Sequence, residues 1–232
     1  MHMSQAYTSK NFNARAQGIS LDLIILHYTA MDSAKGALEW LCNPDSKVSC
    51  HILIDEKGEV FQLVDFEKRA WHAGASYWQS ITDINSRSIG IELSNTGFVP
   101  YPKKQIQALI EVLEYLTVTY KIPTKNIIGH SDIAPLRKID PGKYFPWKLL
   151  ASHGFGHWAS RGGLSRRRVD VDVLQVALKG FGYGCPQTGV LDAETEGVIK
   201  AFLLHFYPEI LEKKLSISVL SAFTYGLLRR LG

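Results

Sequence analysis

Short apolar runs of strand length recur along the first 130 residues of the chain. The run at residues 21–28 is aliphatic and β-branched, which predicts a strand buried on both faces. Two later runs flank the polar turn EKGE at residues 56–59, a pattern typical of a β-hairpin. The pattern as a whole predicts strands over residues 21–28, 48–55, 60–64, 88–94 and 126–129.

Helical periodicity lies between these runs. Asp32 and Ser33 can cap a short helix that ends at Pro44. A longer helix is predicted between Pro102 and Pro123, where apolar residues recur at helical spacing on one face. Those residues are Ile106, Leu109, Ile110, Leu113, Leu116 and Tyr120. Strands interleaved with helices predict an α/β fold with a mixed central β-sheet flanked by helices.

The pattern changes around residues 152–168, which are rich in Gly, Ser and Arg and have no apolar period. We place a domain boundary there. Three apolar helical faces follow, separated by the segment GFGYG and by the cap residues Asp192 and Ser218, and they are just enough to bury a small core. The predicted division is a loosely held N-terminal arm (1–17), an α/β domain (18–152), a linker (153–167) and a three-helix domain (168–232).

Composition narrows the class of protein. The 232 residues are 46% hydrophobic with a net charge of +4, and the longest basic run is three arginines at residues 166–168, which argues against a nucleic-acid partner. Three cysteines at irregular spacing encode neither a disulfide framework nor a zinc knuckle. The longest aliphatic run, residues 23–26, is far too short to span a bilayer, so the sequence predicts no transmembrane segment. Met1-His2-Met3 is typical of a cloning remnant, so we expect a native targeting segment to be absent from this chain.

Histidines at strand ends carry the candidate chemistry. His27 and His130 each end an aliphatic run, and Asp140 follows ten residues after the second. Two imidazoles and one carboxylate, with an open fourth position, are a typical catalytic zinc set. Each histidine could instead be a hydrogen-bonded structural residue. Other candidate ligands remain open at this point: His51, His72, His153, His157 and Cys50.

Five segments of the chain resemble a known family in their order and spacing: LIILHYTA, WHAG, SIGIELSN, IIGHSDIAP and RKIDPG. They are similar to zinc-dependent N-acetylmuramoyl-L-alanine amidases of the type 2 class, relatives of the peptidoglycan-recognition proteins. The resemblance covers about residues 20–150. The segments DVLQVALKGFGYG and TGVLDAETEGVIKAF resemble a three-helix peptidoglycan-binding module. This arrangement implies a secreted or envelope amidase rather than the compact cytoplasmic recycling form.

The resemblance implies a role for each matched residue. His27, His130 and Asp140 are expected to bind one Zn²⁺ per chain. Glu92 is expected to act as general base and Lys138 to stabilise the oxyanion, which suits hydrolysis of an amide by an activated water. Glu92 could otherwise be a solvated strand carboxylate, and Lys138 an ordinary surface lysine.

Assignments around the groove rest on the resemblance alone. It implies that His72 and Trp71 line the substrate groove and that His51 lies near the metal without binding it. The chain departs from some phage-type relatives, which have a tyrosine where it has Cys50; any role of that tyrosine in turnover would pass to Glu92 or another group. We interpret Cys50 as a small core residue.

The expected activity is hydrolysis of the bond between N-acetylmuramic acid and L-alanine of the stem peptide. Peptidoglycan or its muropeptide fragments are therefore the expected partners, with no nucleic acid, and the sequence carries no signature of a particular oligomeric state. A non-catalytic peptidoglycan-recognition protein is the alternative, although such proteins typically lack a zinc ligand. The C-terminal domain could hold the enzyme on the wall or shape the groove. The expected location is the periplasm or envelope, with the cytoplasm as alternative.

Overall fold

The structure is a computed structural model that describes residues 2–231, so Met1 and the last residue of the predicted 168–232 domain lie outside it. The strands are β1 Phe12–Ala14, β2 Leu23–Tyr28, β3 Ile52–Ile54, β4 Val60–Gln62, β5 Lys68–Ala70, β6 Ser88–Leu93 and β7 Ile127–Gly129. The helices are α1 Ala34–Cys42, α2 Ile84–Arg87, α3 Lys103–Thr119, α4 His130–Ile133, α5 Trp147–Ser152, α6 Val171–Phe181, α7 Ala193–Phe206, α8 Pro208–Leu211 and α9 Ile217–Leu231, with a 3₁₀ turn at Pro44–Ser46. The predicted α/β class is confirmed.

A five-stranded mixed sheet in the order β4-β3-β6-β2-β7 forms the centre of the fold. Strand β2 lies between β6 and β7 and is parallel to both, while β4 pairs antiparallel with β3 in the predicted hairpin. Residues Leu23 to Leu26 have no exposed surface, because helices cover both faces of the sheet. This burial explains why the strand is apolar throughout rather than alternating.

The two faces of β2 pack against different partners. Ile24 and Leu26 join the apolar residues of α3, the helix predicted between the two prolines. Leu23 and Ile25 point to the other face, where they join residues of α6, α7 and α9 in one continuous apolar cluster. The predicted three-helix segment therefore completes the core of the α/β sheet. No helix within residues 2–231 is both long and apolar enough to cross a membrane.

The N-terminal arm is docked, contrary to the expectation that it is loosely held. Strand β1 pairs antiparallel with β5. Ser9 is fully buried and its hydroxyl donates to the carbonyl of Leu41. The guanidinium of Arg15 donates to four backbone carbonyls, those of Phe66, Asn85, Ser86 and Ser88. Polar contacts hold the arm, which is why its sequence shows no apolar period.

The first part of the segment predicted as a linker, residues 153–161, packs against the fold, whereas residues 162–167 are mostly exposed. Phe155 and Ala159 are buried. The guanidinium of Arg161 lies 4.4 Å from the ring centre of Trp158 and 4.8 Å from that of Tyr207. The chain therefore leaves the α/β part through a packed segment and reaches the C-terminal helices through a short exposed one.

Candidate metal centre and active site

Three of the predicted residues meet at the carboxyl end of the central sheet. His27 is near the end of β2, and His130 directly follows β7, which pairs with β2. His27 Nδ1 lies 3.0 Å from His130 Nδ1 and 3.0 Å from Asp140 Oδ2, and the third side of this triangle is 2.9 Å. All three side chains are buried. The loop that carries Asp140 is held by a hydrogen bond from the Ser131 N–H to the Asp140 carbonyl.

A chain of hydrogen bonds sets the proton position on His27. The hydroxyl of Ser88 donates to the carbonyl of Ile84 at 2.6 Å, so its oxygen accepts from His72 Nε2 at 3.2 Å. His72 Nδ1 is then unprotonated and accepts from His27 Nε2 at 3.1 Å. This leaves a lone pair on His27 Nδ1, directed at the triangle. Burial and the neighbouring His130 lower the pKa of His27 to about 4, so its ring is neutral at neutral pH.

The proton on His130 is set by a backbone carbonyl. His130 Nε2 lies 3.1 Å from the carbonyl oxygen of Ala73. The nearby Arg137 Nη2 uses both of its hydrogens on the carbonyls of Ala73 and Ala75, at 2.7 and 2.8 Å, so it has none to give to the imidazole. His130 Nε2 is therefore a donor, and its Nδ1 also presents a lone pair to the triangle.

The resulting donor set fits a metal ion. Two unprotonated imidazole nitrogens and a carboxylate oxygen about 3 Å apart repel one another unless a cation lies between them. Tetrahedral zinc with ligands at 2.0–2.1 Å would need edges of about 3.3 Å, close to the observed separations. We therefore regard His27, His130 and Asp140 as a set suited to zinc.

Close packing around the histidines restricts the residues beside them. A Cβ atom at Gly90 would lie 2.4 Å from Cγ of His72, so glycine at this point of β6 gives the His72 ring its space. The backbone at His72 is fixed as well, since Oδ1 of Asn85 accepts from the N–H groups of His72 and Ala73. The site is thus preorganised by β6 and by the segment before it.

Glu92 lies beside the three-residue set without belonging to it. It pairs in register with His27 on the neighbouring strand and lines the same cleft. Its Oε2 atom is buried and makes no hydrogen bond to any of residues 2–231. Burial and the Asp140 charge raise the pKa of Glu92 to about 8, and Lys138 partly opposes them. An unpaired carboxylate with a raised pKa is suited to accept and release a proton near neutral pH.

The cleft above the triangle has a volume of about 430 Å³, and its lining runs from His27 to Asp140 in sequence. Lys138, Trp71 and His72 all line it. The side chain of Trp71 is held by a hydrogen bond from its Nε1 to Oδ1 of Asn13. The structure therefore brings seven of the eight candidate site residues to one cleft.

The structure does not bring His51 to the cleft. Its ring is fully buried, accepts from the Gly90 N–H through Nδ1 and lies 3.0 Å from the Lys68 carbonyl through Nε2. Burial and Arg15 lower its pKa to about 3, so it is a neutral histidine that links backbone groups. Cys50 is also fully buried in an apolar cluster, and His153 is exposed away from the triangle.

Several contributors were not identified from the sequence. Ser88 and Asn85 orient the segment that carries His72. Arg137 donates a hydrogen bond to the Ala73 carbonyl, the same group that accepts from His130. Their only signal is position: Ser88 and Arg137 are the first residues of the quoted segments SIGIELSN and RKIDPG, and Asn85 lies three residues before the former. A pattern of apolar and polar residues cannot show which of them point inward.

Comparison with known proteins assigns the chain to a family. Residues 15–143 match the N-acetylmuramoyl-L-alanine amidase family over more than half of the chain. The chain therefore belongs to the type 2 N-acetylmuramoyl-L-alanine amidase family, and the prediction of an enzyme is confirmed. The family match ends before the C-terminal helices begin.

Individual relatives extend the likeness over most of the chain. The amidase AmiD of Escherichia coli K12 is 37% identical over 221 residues, covering 85% of this chain and 79% of AmiD. A structure of E. coli AmiD with anhydro-N-acetylmuramic acid-L-Ala-D-γ-Glu-L-Lys has a TM-score of 0.78 at 34% identity, covering 94% of this chain and 93% of that one. A structure of AmpDh3 of Pseudomonas aeruginosa with anhydromuramic pentapeptide has a TM-score of 0.78 at 31% identity, covering 99% of this chain and 94% of that one.

Proposed function

We propose that this enzyme is a zinc-dependent amidase that cleaves the bond between N-acetylmuramic acid and L-alanine in peptidoglycan or its fragments. The observation that carries the proposal is the buried triangle, in which two imidazole lone pairs and a carboxylate converge below an open cleft. The bound compounds in the AmiD and AmpDh3 structures support anhydromuramyl peptides as one substrate form.

The residues of the cleft divide the chemistry between them. His27, His130 and Asp140 would hold one zinc ion, which supplies a Lewis acid and lowers the pKa of a bound water to about 7. Glu92 takes a proton from the attacking water and returns it to the departing nitrogen of L-alanine. Lys138 offsets the negative charge that develops on the carbonyl oxygen.

Substrate contacts are proposed from the lining of the cleft. Trp71 offers an apolar face at the mouth of the cleft, and His72 lies at its base while also orienting His27. His51 supports the site from behind, through the backbone of Gly90. The proposed location is the periplasm or envelope, with the cytoplasm as alternative, and cell fractionation distinguishes them.

A direct test is mass spectrometry of the products from defined muropeptides, with and without a chelator. We expect free peptide beginning with L-alanine and free N-acetylmuramic acid or its anhydro form. The reaction should stop on removal of the metal and resume on addition of zinc. Unchanged cleavage after exhaustive chelation, or cleavage at a different bond, would contradict the proposal.

Exchange of Glu92 for glutamine should separate chemistry from metal binding. Because Glu92 is not among the three converging ligands, Glu92→Gln should retain zinc while kcat falls by roughly 10²–10⁴-fold, the usual contribution of a general base. The exposed Glu59→Gln is a matched control and should keep full activity. Loss of zinc from Glu92→Gln would place this carboxylate among the ligands.

The same variant should alter the pH dependence of stability. With a pKa of about 8 in the folded protein against 4.5 for an ordinary carboxyl, the metal-free folded state holds an extra proton between these values. Its unfolding free energy should therefore fall as pH rises from about 4.5 to 8. Glu92→Gln removes this loss, so at pH 8 it should be more stable than the parent by at least about 1.4 kcal/mol, the equivalent of one pKa unit. Denaturant titrations at pH 5 and pH 8 measure the difference.

A further inference from the structure

A buried carboxylate that the proposed mechanism does not use lies two residues after His130. Asp132 is 1% exposed and belongs to α4, the short helix that begins at His130. Its Oδ2 atom accepts a hydrogen bond of 2.8 Å from the backbone N–H of Gly129, the residue before the candidate ligand. Asp132 thus ties together the two ends of the turn that carries His130.

Two side chains from the C-terminal helices hold Asp132 in turn. The hydroxyl of Tyr183, just after α6, donates to Oδ1. Nδ1 of His205, in the last turn of α7, lies 2.8 Å from Oδ2. His205 Nε2 is buried without a hydrogen-bond partner in residues 2–231, so Nδ1 is the ring nitrogen through which His205 donates to Asp132. All of these groups are buried, and none lines the cleft.

Aromatic packing fixes the two donors. The ring of His205 stacks on that of Trp147 at 3.7 Å and 15°, and on that of Phe206 at 4.2 Å. The ring of Tyr183 is fully buried and lies 5.1 Å from that of Trp78. The donors therefore have little freedom to move, and any shift of α7 is passed directly to Asp132.

We propose that Tyr183 and His205 are positioning residues for the metal ligand His130 and act on it through Asp132. The inference rests on the proposed function, because it assumes that His130 binds zinc. The C-terminal helices then help to orient a metal ligand, although the cleft itself is lined only by residues between His27 and Asp140. Removing a hydrogen bond that orients a metal ligand commonly weakens metal affinity 10–100-fold.

The test uses the full-length chain and removes one hydroxyl. Tyr183→Phe keeps the buried ring but leaves Asp132 with one donor fewer. Tyr207→Phe is the matched control, because Tyr207 lies between α7 and α8, is packed against the same apolar cluster, and its hydroxyl makes no hydrogen bond within the described residues. His205→Phe is a second variant that keeps the stacked ring and removes the other donor.

Zinc affinity is measured by competition with a chelator, and the visible spectrum of the Co²⁺-substituted protein reports ligand geometry. Tyr183→Phe and His205→Phe should each raise the Kd for zinc about 10-fold and alter the Co²⁺ spectrum. Tyr207→Phe should change neither. If Tyr183→Phe cannot be purified folded, His205→Phe decides by the same criteria.

Unfolding of the metal-free proteins separates positioning from simple stabilisation. An unchanged Kd and spectrum with a lowered unfolding free energy would overturn the inference and leave the two residues as core residues only. A parent chain that binds no zinc would overturn the proposed function instead, and with it the basis of this inference. The two failures are therefore distinguishable.

Discussion

Replacing His130 by alanine should remove zinc and amidase activity together. A structural or catalytic zinc site that loses one of three protein ligands binds the metal far more weakly. The fold should be retained, because the Ala73 carbonyl, which accepts a hydrogen bond from His130, also accepts one from Arg137. Metal analysis and turnover of a soluble muropeptide, both on folded protein, measure the two losses.

His153→Ala is the control for that experiment. His153 is also a histidine near the C-terminal end of the α/β part, but it is exposed and lies outside the triangle. Its zinc content and turnover should match those of the parent. Retention of stoichiometric zinc by His130→Ala would show that the metal is bound without His130.

A chain shortened to end at residue 167 should fail to fold. The C-terminal helices cover one face of the central sheet, so their removal would expose Leu23, Ile25 and Ile128 together with Trp78. Each such side chain contributes about 1.5–3 kcal/mol by burial, and whole domains are stable by only about 5–15 kcal/mol. Circular dichroism, solubility and the cooperativity of thermal unfolding measure the outcome.

The alternative is a module that only tethers the enzyme to the wall. The shortened chain would then fold and hydrolyse a small soluble muropeptide at the parent rate, while binding to insoluble sacculi fell. That result would show that the α/β part folds without the C-terminal helices and would contradict the prediction. A milder variant for the same question is Phe202→Ala, since Phe202 is fully buried in the cluster that joins the two parts.

The strands and the candidate ligands could be predicted because their signals are local. An uninterrupted aliphatic run marks β2 as a central strand, and a histidine at its end must lie at the rim of the sheet. The parallel pairing of β2 with β6 and β7 then brings His27, Glu92 and His130 together. The resemblance was needed to select His27, His130 and Asp140 from the other candidate ligands, and Asp140 lies in a loop, where no strand pattern places it.

The packing of the C-terminal helices could not be predicted in the same way. An amphipathic face on α7 shows that the helix is covered on one side but does not identify the partner. The sequence suggested a small separate core, whereas Ile199 and Phe202 pack in one cluster with the sheet residues. The docking of Arg15 was missed for a related reason, since its partners are backbone carbonyls and leave no pattern in the sequence.

The segment around α1 lines the cleft but lies apart from the buried strands of the central sheet. His27 lies on a strand buried on both faces and His130 directly follows another, whereas Met31, Trp40 and Val48 line the cleft from the separate segment around α1. Trp40 and Val48 are 50% and 38% exposed, so exchanging them disturbs little of the core. We therefore expect a library confined to these rim positions to change the preferred peptide while His27, His130 and Asp140 keep their arrangement.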